Sequence, residues 1–150
     1  MKKETAKAIY NEVPVWMKKV LVDEFGEKTF VKNYTDIKTI EDAIEALGMD
    51  SSVIERKPNE TSDEWAYRML KIVVKAINQD WIADWNNSNQ KKYWPYFNLS
   101  SGFGFSGTDY FCDYTFTFVG SRLCFESEEK AKYAGNQFLQ LYKDFLTITK

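Results

Sequence analysis

Asp80 and Asp84 bracket Trp81 in the run Asp80-Trp-Ile-Ala-Asp84-Trp85. On a helix, two carboxylates four apart share one face, a spacing that can hold Mg²⁺ or divide acid and base roles. That is the chemistry of a carboxylate- and Mg²⁺-dependent hydrolase or nuclease. One pair without a third ligand is a weak metal signal, and the plainer reading is a helix end whose aspartates take backbone N–H groups. Asp23 with Asp36 and Lys38 echoes the two carboxylates and lysine of a metal-dependent nuclease. Such a site needs its acids on adjoining strands. Here one falls on a helix and the other in a loop, so the match is chance. The chain has no histidine, which excludes Ser-His and Cys-His nucleophiles and removes the commonest zinc ligand. No catalytic residue, metal ligand or cofactor is assigned.

A second group could recognise rather than react. Lys91 and Lys92 precede Tyr93, Trp94, Tyr96 and Phe97. Cations beside exposed rings hold single-stranded nucleic acid, each stacked base contributing roughly 1–3 kcal/mol. The structural alternative is that the rings fill the gap between a sheet and a helix while the lysines snorkel outward. The formal net charge is −2, from 20 basic and 22 acidic residues, so no long-range field draws nucleic acid in. Gly102 to Gly107 lacks the lysine and following helix of a phosphate loop, and reads as a hairpin or recognition loop carrying Phe103 and Phe105. Arg122 follows Gly120 on an otherwise apolar segment. An ion pair with Asp109, Asp113 or Glu126 is the plain expectation, and a partner's carboxylate or phosphate the functional one.

The elements that position these residues are legible in part. Residues 3–11 suit a short helix. Pro14 suits the first turn of a second that stops at Gly26, although Val15, Val20 and Val22 make no clean stripe. Thr39 caps a third helix ending at Gly48. Thr61 and Glu64 form a capping box, and behind it Trp65, Met69, Ile72, Val73, Ala76 and Ile77 trace one buried stripe. After Trp85 the texture changes to a polar, aromatic connector. Residues Tyr110 to Val119 then alternate as a strand with Gly102–Phe105 as partner, and Arg122–Phe125 returns antiparallel. On that strand Tyr110, Tyr114, Phe116 and Phe118 face the core. Phe111 lies on the other face, where a large ring can anchor an interface. Ser127 caps a final helix whose core face is Ala131, Ala134, Phe138, Leu141 and Phe145.

The predicted fold class is therefore α+β: a helical N-terminal half packed on a small antiparallel β-sheet with a C-terminal helix. At 150 residues the expectation is a single domain, helical over 1–80 and aromatic β plus C-terminal helix over 81–150. Thirteen of the 25 aromatic residues lie between Trp81 and Phe118, so that block is either core or contact surface. Cys112 and Cys124 are too few for a disulfide framework and read as free thiols. The opening MKKETAKAIYNEV lacks the apolar core of a secretory leader, and no apolar run reaches a membrane span. A cytoplasmic protein, in a host cell or else in a virion, is expected.

The block WIADWNN, YWPYF and VGSRLCFESEE resembles a family of small proteins from gut Bacteroidetes and their phages and prophages. YNEVPVWMKKVLVDEFG and TIEDAIEALGM resemble that family's front half, so the likeness covers most of the chain. It implies a phage or mobile-element context and transfers no catalytic residue. The reading that results is a non-enzymatic accessory protein that binds a protein partner: a host factor, a defence component or a virion part. Its expected surface is Trp85, Lys91, Lys92, Tyr93, Trp94, Tyr96, Phe103, Phe105, Phe111 and Arg122. A single-stranded nucleic-acid-binding module is the alternative, and a Mg²⁺-dependent hydrolase the second. A homodimer through the aromatic face stays open.

Overall fold

The computed structural model describes residues 1–10, 12–26, 33–99, 104–111 and 120–148, with the backbone alone at positions 3, 4, 7 and 105–111. The chain divides into two compact units, Met1–Asn33 and Tyr34–Lys150. The change of texture near residue 80 lies inside the second. The first unit holds α1 (Lys3–Ile9) and α2 (Val15–Phe25). Pro14 is the N-cap of α2 in extended backbone, one residue before the helix proper. Ala6 and Leu21 are buried, whereas Val15, Trp16 and Val20 are exposed, in keeping with the missing stripe.

The second unit is helix-rich with a minor β component, within the α+β class. It contains α3 (Ile40–Ala46), α4 (Ser62–Asn78), β1 (Lys92–Asn98), β2 (Gly104–Phe111), α5 (Glu128–Gln137) and α6 (Leu139–Leu146). The helix starts follow their local chemistry. Thr39 Oγ1 accepts from the Asp42 N–H at 3.1 Å, and the Asp42 carboxylate accepts from the N–H groups of Lys38 and Thr39, each at 2.9 Å. Those two donors, Lys38 first, hold the Asp42 carboxyl below its ordinary range. At the far end of α3, Met49 N–H reaches back to Ile44 O and Gly48 N–H to Glu45 O, each at 3.0 Å. This double closure needs positive φ, and Gly48 supplies it at 63°. Glu64 accepts from the Thr61 N–H at 2.9 Å and starts α4.

α4 is the central element, packed against α3, α5 and α6. Its predicted stripe is buried at Met69, Ile72, Val73, Ala76 and Ile77, with Trp65 half-buried. Leu70 and Val74 are buried as well, because helices meet α4 on more than one side. The C-terminal helix is two helices, parted at Phe138, whose ψ of 31° leaves the helical range. Tyr133 on α5 donates to Thr35 O at 3.0 Å and to Ile37 O at 2.9 Å, tying the start of the unit to its end. Tyr142 on α6 is buried, its hydroxyl has no hydrogen-bond partner among the described residues, and burial pushes the phenol well above its ordinary pKa. An unsatisfied buried hydroxyl costs about 1–3 kcal/mol. Tyr142→Phe is therefore expected to raise stability by about 1–2 kcal/mol in urea unfolding.

The β region departs from the sequence reading. β1 and β2 pair antiparallel, with Lys92 opposite Phe111 and Asn98 opposite Gly104, and an irregularity at Tyr96/Phe97. The connector after Trp85 is thus a strand over 92–98, and its partner is 104–111, which includes glycines assigned to a loop. Residues 112–119, with Cys112 and the rings Tyr114, Phe116 and Phe118, lie outside the described residues. α5 packs on the strand pair. The expected return strand at 122–125 reduces to a short 3₁₀ turn, Ser121–Leu123, and one bridge. Tyr93 N–H donates to Phe125 O at 3.1 Å and Phe125 N–H to Tyr93 O at 2.7 Å. Pro95, two residues on, lies along the same edge and has no N–H, so the bridge cannot lengthen into a ladder in that direction.

Candidate functional site

The carboxylate pair is not assembled. α4 ends at Asn78, and Trp81 N–H donates to Asn78 O at 3.1 Å, closing a turn. Gln79, with φ 57° and ψ −117°, takes the first central position of a type II′ turn, which glycine normally fills. Asp80 and Asp84 therefore share no helix face. Asp84 instead accepts from the Asn86 N–H at 2.9 Å, the backbone-binding role. Among the described residues, no group of three or more His, Cys, Asp or Glu side chains could hold a metal ion. Gln79→Gly is expected to stabilise by about 1 kcal/mol, read from the shift in thermal unfolding, because it relieves the backbone at that turn.

The aromatic and basic residues of the connector also fall differently. Strand alternation sends Lys92 and Trp94 to one face of β1 and Tyr93 and Phe97 to the other. Lys92 is 2% exposed and Trp94 5%. The Lys92 ammonium donates to Asn87 O at 3.1 Å and lies 5.2 Å from the centre of the half-buried Trp85 ring. Tyr93 and Phe97 pack against the main core, Phe97 with its ring 4.8 Å from that of Tyr142. Lys92 and Trp94 consequently cannot serve as phosphate and base contacts, and the rings form no single exposed row. Lys91 and Tyr96 are exposed, Tyr96 at 59%. Phe103 lies outside the described residues, as do the side chains of Phe105 and Phe111.

Arg122 reaches a different place. It lines a cavity of about 620 Å³ at the C-terminal end of α4, together with Lys71, Lys75, Asn78, Trp81 and Ile82. The expected pairing with Glu126 is not made, since Glu126 holds Lys130 at 2.5 Å. Among the described residues Arg122 has no ion pair, and its side chain is exposed. Behind the cavity, Asn78 is a buried clamp. Its Nδ2 donates to Cys124 O at 2.7 Å and its Oδ1 accepts from Glu126 N–H at 3.2 Å. The clamp holds the Ser121–Arg122 turn against the end of α4. The turn at Gln79 then projects Trp81, half-buried, and Ile82, 81% exposed, along the rim.

A second groove, of about 670 Å³, runs along α4 beside the segment 51–58. Lys71 and Lys75 line both grooves and form the ridge between them. As an i, i+4 like-charge pair they cost the helix roughly 0.2–0.5 kcal/mol. The outer wall is fixed to α4. Arg68 donates to the carbonyls of Val53 and Glu55 and pairs with Glu60 at 2.7 Å, while Trp65 Nε1 donates to Ile54 O at 2.7 Å. The Arg68 guanidinium holds the Glu60 carboxyl down to about 2, from an ordinary 4.5. A depressed carboxylate stabilises the fold above its unfolded pKa, and that contribution is lost as pH falls from 4.5 towards 2. Amide exchange of residues 53–57 should accelerate across that window, and Glu60→Gln should flatten the dependence.

The sequence reading named Arg122 but missed Lys71, Lys75, Trp81 and Ile82 as surface. The two lysines were visible as the polar stripe of α4, and Trp81–Ile82 as an apolar pair just past a helix end. No protein-family model, no curated protein and no solved structure matches this chain. Among the described residues, no helix is long and apolar enough to cross a membrane.

Proposed function

We propose that this chain is a non-enzymatic module that binds a protein partner through the groove at the C-terminal end of α4. The observation that carries the reading is Ile82, displayed to solvent beside Trp81 on a cavity that Arg122 also lines, an arginine with no ion pair among the described residues; of the acids expected to pair with it, Asp113 and the side chain of Asp109 lie outside them. Tryptophan and arginine are the residues that dominate binding energy at interfaces, and two short hydrogen-bonded turns, at Asn78–Trp81 and Ser121–Leu123, present them here. Of the aromatic surface expected from the sequence, Tyr96 is exposed and Trp85 half-buried, and neither lines this groove. We assign the protein to the cytoplasm of a host cell as a phage or mobile-element accessory factor, a context that rests on the family resemblance alone.

The test is a photoactivatable phenylalanine analogue at position 82, with exposed Ser88 as the control position, expressed in the native host. The expected result is one protein adduct from position 82, absent from position 88 and lost with Arg122→Glu. Equal adducts from both positions, or an adduct with nucleic acid, would overturn it. The second outcome would favour a single-stranded nucleic-acid binder that uses Trp81, Lys75 and Arg122 in place of Lys92.

A further inference from the structure

The groove along α4 has a floor and a rim of opposite character. Leu47, Val53 and Ile72 line its apolar part. Around them stand Arg56, Lys57, Lys71 and Lys75, with Glu55 the one acid among the described lining residues. On a chain whose net charge is −2, this concentrates positive charge at one place. Arg68 lies beneath, already committed to Glu60 and to two carbonyls, so it holds the wall in place instead of seeking a ligand. The groove is therefore preformed: Arg56, Lys57 and Lys75 are exposed, while Lys71 is half-buried with its ammonium 4.7 Å from the centre of the Tyr67 ring, and the Arg56 guanidinium lies 5.6 Å from that of Trp65. Lys71 and Lys75 stand one helical turn apart, about 6 Å along the axis. Alternate residues of an extended chain are about 6.5–7 Å apart, so two carboxylates separated by one residue match that ridge.

We propose that this groove binds an extended acidic segment of a protein partner, with glutamate or aspartate at alternate positions on the Lys71–Lys75 ridge and apolar side chains on the Leu47–Val53–Ile72 floor. The choice of a protein occupant rests on the protein-binding reading above, although the groove is a different one that shares only the Lys71–Lys75 ridge with the first. A nucleic-acid strand could use the cations, but among the described residues the lining holds no ring for a base to stack on, the Trp65 and Tyr67 rings being half-buried beneath Arg56 and Lys71, and the aliphatic floor would be left uncovered.

The probe is a fluorescein-labelled peptide of alternating glutamate and leucine, compared by anisotropy with a lysine–leucine peptide and an oligo-dT strand of equal length. The acidic peptide should bind, more weakly as salt rises, and the other two should not. Arg56→Glu with Lys57→Glu should weaken binding at least about tenfold, as should Lys71→Glu with Lys75→Glu, while Arg122→Glu should leave it unchanged. Arg56, Lys57, Lys75 and Arg122 are exposed and Lys71 half-buried, and circular dichroism checks that each variant is folded. Absence of acidic-peptide binding would overturn the proposal, as would equal or tighter binding of oligo-dT. Sensitivity to Arg122→Glu but not to Arg56→Glu with Lys57→Glu would move the peptide to the other groove and likewise overturn it. The cross-link at position 82 judges the first groove independently, so either reading can fail alone.

Discussion

Replacing Asn78 by alanine is expected to cost about 2–4 kcal/mol of folding stability. Asn78 is buried and meets two backbone groups of a segment 46 and 48 residues away, the Cys124 carbonyl and the Glu126 N–H. Alanine leaves both without that partner in a largely buried site, and each group left unsatisfied costs about 1–3 kcal/mol. Urea unfolding followed by tryptophan fluorescence measures the loss, and a change under about 1 kcal/mol would show that the groups find other partners. Asn78→Asp separates hydrogen bonding from size. An ionised carboxylate can accept from Glu126 N–H but cannot donate to the Cys124 carbonyl, and it carries a buried charge. Its pKa in the folded state is raised, so the variant should be least stable at neutral pH and recover as pH falls and the new carboxyl gains a proton. Because Asn78 also holds the Arg122 turn against α4, the cross-link at position 82 should weaken in Asn78→Ala.

Phe125→Ala is expected to cost about 3–5 kcal/mol, the range for removing a fully buried aromatic ring. Phe125 has no exposed surface, and its backbone exchanges both hydrogen bonds with Tyr93. It joins the core around α4 to the edge of β1, so its loss should loosen the strand pair first. Phe125→Leu keeps most of the volume and should recover more than half of the loss. Thermal unfolding of the three proteins gives the order. Asn78 and Phe125 act on one short segment, so the double variant should fall short of the sum of the singles.

The helices were legible because their determinants are local. Thr39 with Asp42, Thr61 with Glu64, and Ser127 with the Lys130 N–H at 3.3 Å are contacts within one turn, and α4 carries its apolar period over four turns. The connector was not legible, because the burial of Lys92 and Trp94 depends on β2 pairing with β1 and on a bridge from Phe125, 32 residues beyond Tyr93. The same holds at Asp80-Trp-Ile-Ala-Asp84. Its residues suit a helix or a turn, and the choice falls where Asn78 is captured by Cys124 and Glu126. The sequence by itself determined that Lys71 and Lys75 share the polar face of a helix. Only the tertiary structure placed Arg122 at one end of that face and Arg56 and Lys57 along its side, because hydrogen bonds from Arg68 and Trp65 to a wall many residues upstream set the neighbours. Spacing along a chain fixes which side chains share a face, and long-range backbone contacts fix what that face meets.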